Sequence, residues 1–277
     1  MAFSWLDAAI LGLIQGLTEF LPVSSSAHLR IAGEFLPSAS DPGAAFTAIT
    51  QLGTEAAVLV YFWSDILRIA TAWIRQNLLR LSHNADDARM GWLIIIGSIP
   101  IVVLGLLFKD EIETGLRNLY ITASALIIFG VILGIADRVG AKRLPLQRLT
   151  WRDGLLFGLA QAMALIPGVS RSGGTISAGL FMGYTREAAA RYSFLLAVPA
   201  VFGSGFYQLF KSMGEDNPVA AGPTALATLI SFVIGYGVIV FFLKLVSTRN
   251  YFPFVYYRVI IGVVLIGLLL AGVLPAT

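Results

Sequence analysis

The chain has 277 residues, of which 57% are hydrophobic and only 13% are charged, and its mean hydropathy is +0.81. A soluble domain carries about twice that charged fraction, so this composition excludes an ordinary water-soluble protein and favours one that lies in a bilayer. The net charge of +3 does not indicate a nucleic-acid partner, because the Lys and Arg excess of a membrane protein usually fills its cytoplasmic loops.

The predicted elements begin with a short apolar stretch, about 6–21, that runs into LPVSSSAH (21–28). We expect it to stay in the mature protein, because it lacks a basic start and contains internal polar residues. A second short stretch, about 154–166, runs into IPGVSRSGGT (166–175). Six further segments approach the ~20 apolar residues that cross a membrane. In chain order these predicted spans are about 45–63, 92–108, 119–136, 192–209, 223–243 and 254–274.

The two short stretches are predicted to be re-entrant, because Pro, Gly and Ser break each one before it can cross the membrane. Irregular backbone within the hydrocarbon region must be buried in protein or line a watery cavity. Each broken segment is therefore a candidate functional site.

The basic residues predict the orientation of the bundle. Twelve fall in or beside three loops on one side and three fall on the other side, and the richer side is expected to be cytoplasmic. Both termini are then extracytoplasmic. The first set is Arg68, Arg75, Arg80, Arg89, Arg138, Lys142, Arg143, Arg148, Arg152, Lys244, Arg249 and Arg258, and the second is Lys109, Arg117 and Lys211.

This orientation predicts an all-α polytopic membrane protein made of two repeats with inverted topology. Each repeat is a re-entrant helix pair followed by three transmembrane helices. We divide the single membrane domain, 1–277, into a first repeat at 1–136, a cytoplasmic connecting loop at 137–153 and a second repeat at 154–277.

An offset of 146 residues supports the repeat, because it aligns Trp5 with Trp151 and Gln15 with Gln161. The same offset aligns Ser24 with Ser170 and Ser26 with Ser172. Inverted repeats with broken helices place their sites where the breaks meet, near the middle of the membrane. The two broken segments are therefore expected to face each other.

The first broken segment contains the groups that hydrolysis requires. Gln15 and Glu19 are four residues apart and share one helix face, which leads into Ser24, Ser25 and Ser26 and then His28. These side chains supply a base or metal ligand, a hydroxyl nucleophile and a proton-transfer group. Cysteine is absent from the sequence, so a nucleophile must be a hydroxyl, a carboxylate or water.

The second broken segment has the composition of a phosphate-binding site. A guanidinium binds phosphate through two parallel hydrogen bonds, and glycine lets backbone amides approach the ligand. A helix that begins near Thr175 would add its positive end. The glycines precede no Lys-Ser/Thr pair, so the segment is not a P-loop. The residues concerned are Ser170, Arg171, Ser172, Gly173, Gly174 and Thr175.

Structural interpretations of these residues remain open. Ser- and Gly-rich turns in membrane proteins often only satisfy backbone groups or permit close packing. Glu19 and Arg171 differ, because a charge in the hydrocarbon region costs about 2.5–3.5 kcal/mol, although a structural Glu19–Arg171 ion pair would also account for both. Glu55 lies inside a predicted span but outside both broken segments, so a partner on a neighbouring helix explains it equally well.

The two broken segments resemble those of a known family. QGLTEFLPVSSSAH (15–28) and PGVSRSGGTISAG (167–179) closely resemble the two signature segments of the bacterial undecaprenyl-diphosphate phosphatases, also called bacitracin-resistance proteins. The resemblance covers nearly the whole chain, including ITQLG (49–53), FLLAVPA (194–200) and FPFVYYR (252–258).

The resemblance implies a metal-dependent hydrolase of the bacterial plasma membrane. Its substrate would be undecaprenyl diphosphate, which it would convert to undecaprenyl phosphate and so recycle the lipid carrier of cell-wall synthesis. Its cofactor would be a divalent cation, Mg²⁺ or Ca²⁺. The implied catalytic residues are Glu19, Ser25, His28 and Arg171. The resemblance places Gln15, Ser170 and Thr175 at substrate-binding positions. Together with the composition of the broken segments, the predicted substrate-binding residues are Gln15, Ser24, Ser26, Ser170, Ser172, Gly173 and Thr175.

One position departs from the pattern of many family members. Gln15 stands where they have Glu in a (Glu/Gln)-x-x-x-Glu motif, and a neutral amide is a weaker metal ligand. Glu19 and the substrate's own phosphates are therefore expected to supply most of the charge around a divalent cation.

The predicted mechanism has Ser25 attack the terminal phosphorus while Arg171 holds the diphosphate and Glu19 or His28 moves the proton. Direct attack by water, with Ser25 only binding, is the alternative mechanism. A lipid-phosphate transporter is the alternative function, because broken helices in inverted repeats are also a transporter architecture. The sequence leaves open whether two copies form a homodimer.

Overall fold

A computed structural model describes residues 4–36, 43–81, 84–213 and 220–276, and the regular structure there is helical. The α-helices are α1 Trp5–Thr18, α2 Ser25–Gly33, α3 Gly43–Tyr61, α4 Trp63–Asn77, α5 Ala85–Leu107, α6 Lys109–Glu113, α7 Leu119–Val139, α8 Trp151–Ala162, α9 Arg171–Phe181, α10 Arg186–Met213, α11 Ala221–Thr248 and α12 Phe252–Leu270. Short 3₁₀ turns lie at Gly115–Arg117, Leu146–Arg148 and Met163–Leu165.

The predicted transmembrane helices are present. In the described part of the chain, α5, α7, α10, α11 and α12 are each long and apolar enough to cross a membrane. The span predicted at 45–63 corresponds to α3, which passes the same test only together with α4, because the chain bends by 80° between them. The fold is therefore all-α and polytopic, as predicted.

The prediction of a loop after position 63 is wrong, because residues 63–77 form helix α4. Its polar side is anchored through Asp65, which accepts hydrogen bonds from Arg68 at 3.0 Å and from Arg191 at 2.7 Å. Its other side packs on α5. Such a helix has too many charges to be recognised as a span.

The short helix of each half packs against a long helix of the other half. Helix α1 lies against α11, and α8 lies against α5. A Cβ atom on Gly12 would come within 2.5 Å of the Ala227 carbonyl oxygen, and one on Gly158 within 2.4 Å of the Gly97 carbonyl oxygen. Glycine is required at both contacts, which interlock the two halves.

The connection between α7 and α8 is fixed to the turn between α9 and α10. The backbone amides of Arg143 and Leu144 donate to the Gly183 carbonyl at 2.8 and 3.0 Å, and the Thr185 amide donates to the Leu144 carbonyl at 2.9 Å. Both ends of the α8–α9 pair therefore lie at one end of the molecule, as a re-entrant pair requires. The inverted topology of the two repeats stays a prediction.

The assignment of Arg258 to a cytoplasmic loop is wrong. Its side chain is fully buried. The guanidinium donates to the backbone carbonyls of Pro22, Gly168 and Val169 at 3.0, 2.8 and 3.0 Å. These carbonyls belong to the two broken segments, so Arg258 holds the breaks together instead of facing the membrane surface.

Candidate active site

The two breaks share one backbone conformation. Ser24 has φ 75° and Ser170 has φ 70°, a region that residues other than glycine rarely occupy. The hydroxyls of Ser24 and Ser26 lie 3.2 Å apart, and those of Ser170 and Ser172 also lie 3.2 Å apart. Each break leads directly into a helix, α2 or α9, so that two positive helix ends converge on the space between the breaks.

Glu19 is the centre of a buried polar cluster. Its Oε2 accepts hydrogen bonds from the Ser25 hydroxyl at 2.6 Å and from the Gln15 amide nitrogen at 2.7 Å. Its Oε1 accepts from Nη2 of Arg171 at 2.8 Å. The structure thus brings together a hydroxyl, a carboxylate and a guanidinium that the sequence separates by up to 152 positions.

Glu55 also belongs to this cluster, although its sequence position separates it from both broken segments. Its carboxylate is fully buried, and its Oε1 accepts from Nη2 of Arg171 at 2.9 Å. A single guanidinium nitrogen therefore bonds two carboxylates, one on each side. The cue in the sequence was a lone acidic residue inside an apolar span, which is a functional indication by default.

In the part of the chain that the structure describes, three atoms of the cluster are buried without a hydrogen-bond partner: Nη1 of Arg171, Oε2 of Glu55 and Oε1 of Gln15. Buried polar atoms are nearly always paired, so each unpaired atom requires an explanation. A donor and two acceptors left free around one ion pair are the groups that a bound anion and a bound cation would use.

The cluster lies at the wall of a cavity of about 540 Å³. Its polar wall is formed by the first turns of α2 and α9 with Glu19, and its remaining walls come largely from apolar residues of α5 and α10. The cavity also reaches Lys109 and Tyr207, whose side chains are joined at 3.1 Å. The residues of the cluster and breaks that line it are Glu19, Ser24, Ser25, Ser26, Ser170 and Arg171.

Four predicted substrate-binding residues do not line this cavity, and they are Gln15, Ser172, Gly173 and Thr175. The Ser172 hydroxyl donates to the Leu21 carbonyl at 3.1 Å, and the Thr175 hydroxyl donates to the Arg171 carbonyl at 2.7 Å. The Gly173 amide donates to the Ser170 hydroxyl at 3.1 Å. These three hydrogen bonds stabilise the backbone around the two breaks.

His28 is bonded at both ring nitrogens outside the cavity lining. Its Nδ1 donates to the Ser24 carbonyl at 2.7 Å, since a carbonyl can only accept, and its Nε2 lies 2.7 Å from the Tyr257 hydroxyl. The two rings stack with centroids 5.5 Å apart. The observed contacts thus connect His28 to the backbone before Ser25, and its predicted role in proton transfer stays a prediction.

The fold and the cluster together define a polytopic membrane protein with a serine, carboxylate and guanidinium site suited to phosphate chemistry. The bacitracin resistance protein BacA family matches residues 8–264, and the chain belongs to this family. The resemblance noted in the two broken segments is thereby confirmed.

Several relatives that match this chain over nearly their whole length are named undecaprenyl-diphosphatase. The chain is 75% identical over 276 residues to undecaprenyl-diphosphatase 2 of Agrobacterium fabrum, a match that covers 100% of this chain and 99% of the relative. It is 63% identical to undecaprenyl-diphosphatase of Micrococcus luteus, over 99% of this chain and 100% of the relative. It is 59% identical to undecaprenyl-diphosphatase 2 of Streptomyces coelicolor, over 98% and 97%.

Proposed function

We infer that the chain is an undecaprenyl-diphosphate phosphatase, a membrane hydrolase that converts undecaprenyl diphosphate to undecaprenyl phosphate and phosphate. This reaction recycles the lipid carrier of cell-wall synthesis. Family membership and the names of the full-length relatives support the assignment. The structural observation that carries it is the Ser25 hydroxyl, held 2.6 Å from Glu19 at the wall of a cavity that Arg171 also lines.

The diphosphate is expected to bind between the two helix starts. Nη1 of Arg171 has no hydrogen-bond partner among the described residues, so it is proposed to form a charge-assisted hydrogen bond to a phosphate oxygen. The first turns of α2 and α9 present amides that favour an anion. Ser24, Ser26 and Ser170 line the same wall and offer hydroxyl groups.

Ser25 is the proposed nucleophile. Its hydroxyl already donates to Oε2 of Glu19, so the carboxylate can accept the proton as Oγ attacks the terminal phosphorus. The Oγ–P bond forms, the bond from phosphorus to the bridging oxygen breaks, and polyprenyl phosphate leaves. Water then hydrolyses the phosphoserine, which releases phosphate and restores Ser25. The contacts favour Glu19 over His28 as the base.

A divalent cation, Mg²⁺ or Ca²⁺, is the proposed cofactor, and the residues present fit it. Glu19 supplies a carboxylate, Gln15 supplies a buried side-chain oxygen without a partner, and Ser25 supplies a hydroxyl. Oxygen donors of this kind suit hard cations, which often take the rest of their ligands from substrate phosphates. When bound, the ion would offset the charge of the diphosphate.

We propose that the protein lies in the bacterial plasma membrane with both termini outside. In this orientation the start of α6, which carries Lys109, and the end of α10, which carries Tyr207, are extracytoplasmic. The cavity reaches both residues, so the enzyme would act on lipid diphosphate at the outer face.

The decisive experiment is phosphate release from a long-chain polyprenyl diphosphate by the purified protein, with and without a divalent-metal chelator. We expect one phosphate to be released for each lipid diphosphate consumed. The chelator should abolish this release, and excess Mg²⁺ or Ca²⁺ should restore it. Movement of intact lipid diphosphate between the leaflets of proteoliposomes without phosphate release would instead support a transporter.

A further inference from the structure

With both carboxylates ionised, the polar cluster has two negative charges and one positive charge. Glu19 and Glu55 each accept a hydrogen bond from the same Arg171 nitrogen, at 2.8 and 2.9 Å. Within the ranges that the structure describes, the ion pairs of these two carboxylates go to Arg171 alone. Uncompensated charge in a dry interior is costly. Two carboxylates facing one guanidinium therefore leave room for a further positive charge.

Two unpaired oxygen atoms point to the nature of that charge. Oε2 of Glu55 and Oε1 of Gln15 are buried without a partner among the residues that the structure describes, and both side chains are fully inaccessible to solvent. Both atoms can only accept. Oxygen acceptors beside an excess carboxylate form the environment that a hard divalent cation prefers.

The contributing residues come from separate parts of the first half of the chain. Gln15 lies on α1, Glu19 directly follows α1, and Glu55 lies on α3. The Gln15 amide bridges the two elements, because its nitrogen bonds Glu19 at 2.7 Å and lies 3.5 Å from the Thr54 hydroxyl, next to Glu55. The donor set is assembled by packing and is not visible as a linear motif.

We propose that Glu55 is the second carboxylate of a divalent-cation site, which it forms with Glu19 and the side-chain oxygen of Gln15. Oxygen atoms of the diphosphate complete the coordination, a part that rests on the proposed function. Arg171 is the counter-ion that both carboxylates share when no cation is present. A bound cation takes over that role and frees the guanidinium for the phosphate.

Cation binding is to be measured on the full-length protein in detergent without substrate, by titration with Mn²⁺ followed by electron paramagnetic resonance. We expect Glu55→Gln to weaken Mn²⁺ binding by at least about tenfold. Glu187→Gln is the matched control, because Glu187 is exposed at the start of α10; it should leave the affinity unchanged. The double variant Gln15→Glu/Glu55→Gln, which moves the carboxylate to α1, should recover most of the binding.

Thermal unfolding of the metal-free proteins separates this proposal from a purely structural ion pair. The proposal predicts that Glu55→Gln is at least as stable as the wild type, since one guanidinium then balances one carboxylate. A structural role predicts a lower Tm with unchanged Mn²⁺ affinity, and unchanged affinity overturns the proposal.

The titration is independent of the phosphatase assignment, because it follows no reaction. If the wild-type protein releases no phosphate but binds Mn²⁺ in a way that depends on Glu55, the proposed function is refuted and the cation site is supported. A wild type that releases phosphate but binds no Mn²⁺, either alone or with the non-hydrolysable methylene diphosphonate, would refute the cation site and keep the function.

Discussion

Replacing Arg258 should disturb the fold and the active site together. The buried guanidinium makes five hydrogen bonds to backbone carbonyls, to Leu126 at 3.2 Å, Pro22 at 3.0 Å, Ala125 at 3.4 Å, Gly168 at 2.8 Å and Val169 at 3.0 Å. Three of these carbonyls lie just before the breaks at positions 24 and 170. The residue thus fixes the distance between the two halves of the site.

The magnitude of the effect follows from the number of bonds. A lysine ammonium has three N–H groups, so Arg258→Lys keeps the charge but loses at least two of the five bonds. A buried carbonyl left without a partner costs about 1–3 kcal/mol, which gives a destabilisation of roughly 2–6 kcal/mol. Arg258→Met leaves the carbonyls of Pro22, Gly168 and Val169 unpaired, since those of Ala125 and Leu126 keep their bonds within α7. The cost is roughly 3–9 kcal/mol, which is comparable to the stability of a typical domain.

We therefore expect the Lys variant to fold with a clearly lower Tm and the Met variant to fail to accumulate. Turnover of the Lys variant should also fall, because the segments that carry Ser25 and Arg171 lose a common anchor. Thermal unfolding in detergent and phosphate release measure the two effects, with the exposed Arg249→Lys as the control. A Lys variant with wild-type Tm and wild-type turnover would refute the reasoning.

The remaining predictions concern the reaction and the topology. Arg171→Lys should lower turnover on the order of a hundredfold or more, because a point charge cannot reproduce the planar fork; near-normal turnover would make Arg171 a structural partner. Ser25→Ala should abolish single-turnover phosphate release while keeping lipid-diphosphate binding, and Ser24→Ala and Ser26→Ala should cost less; an active Ser25→Ala would favour attack by water. Terminal tags should be reactive from outside intact cells and the 137–153 loop protected; the reverse labelling would contradict the assigned orientation.

The transmembrane helices were predictable because an uncharged apolar segment near the length of the membrane has few alternatives. The first and last residues of the helices were less predictable. Helix α10 begins at Arg186, six residues before the predicted span at 192–209. Helix α4 escaped prediction because Asp65, Arg68 and Arg75 interrupt its apolar residues, although Asp65 and Arg68 are paired in the structure. Composition over a window cannot distinguish such a helix from a loop.

Part of the site was predictable from the free-energy cost of burying a charged side chain in an apolar segment. Glu19 and Arg171 were identified because an isolated charge in an apolar segment requires a partner, and the structure places them 2.8 Å apart. Arg258 was misplaced because basic residues near a helix end usually face the membrane surface. Its partners are backbone carbonyls, which carry no residue identity, so no pattern of side chains could reveal them.

The two breaks have the same backbone conformation but carry different side chains at the equivalent central position. Both begin with a serine at positive φ, both pair that serine with the hydroxyl two residues later, and both continue into a helix. The residue between the paired serines differs, and it is Ser25 in one break and Arg171 in the other. Because the breaks face each other, the same conformation directs a hydroxyl from one side and a guanidinium from the other toward Glu19. The proposed nucleophile and the proposed phosphate-binding residue therefore occupy equivalent positions in the two breaks.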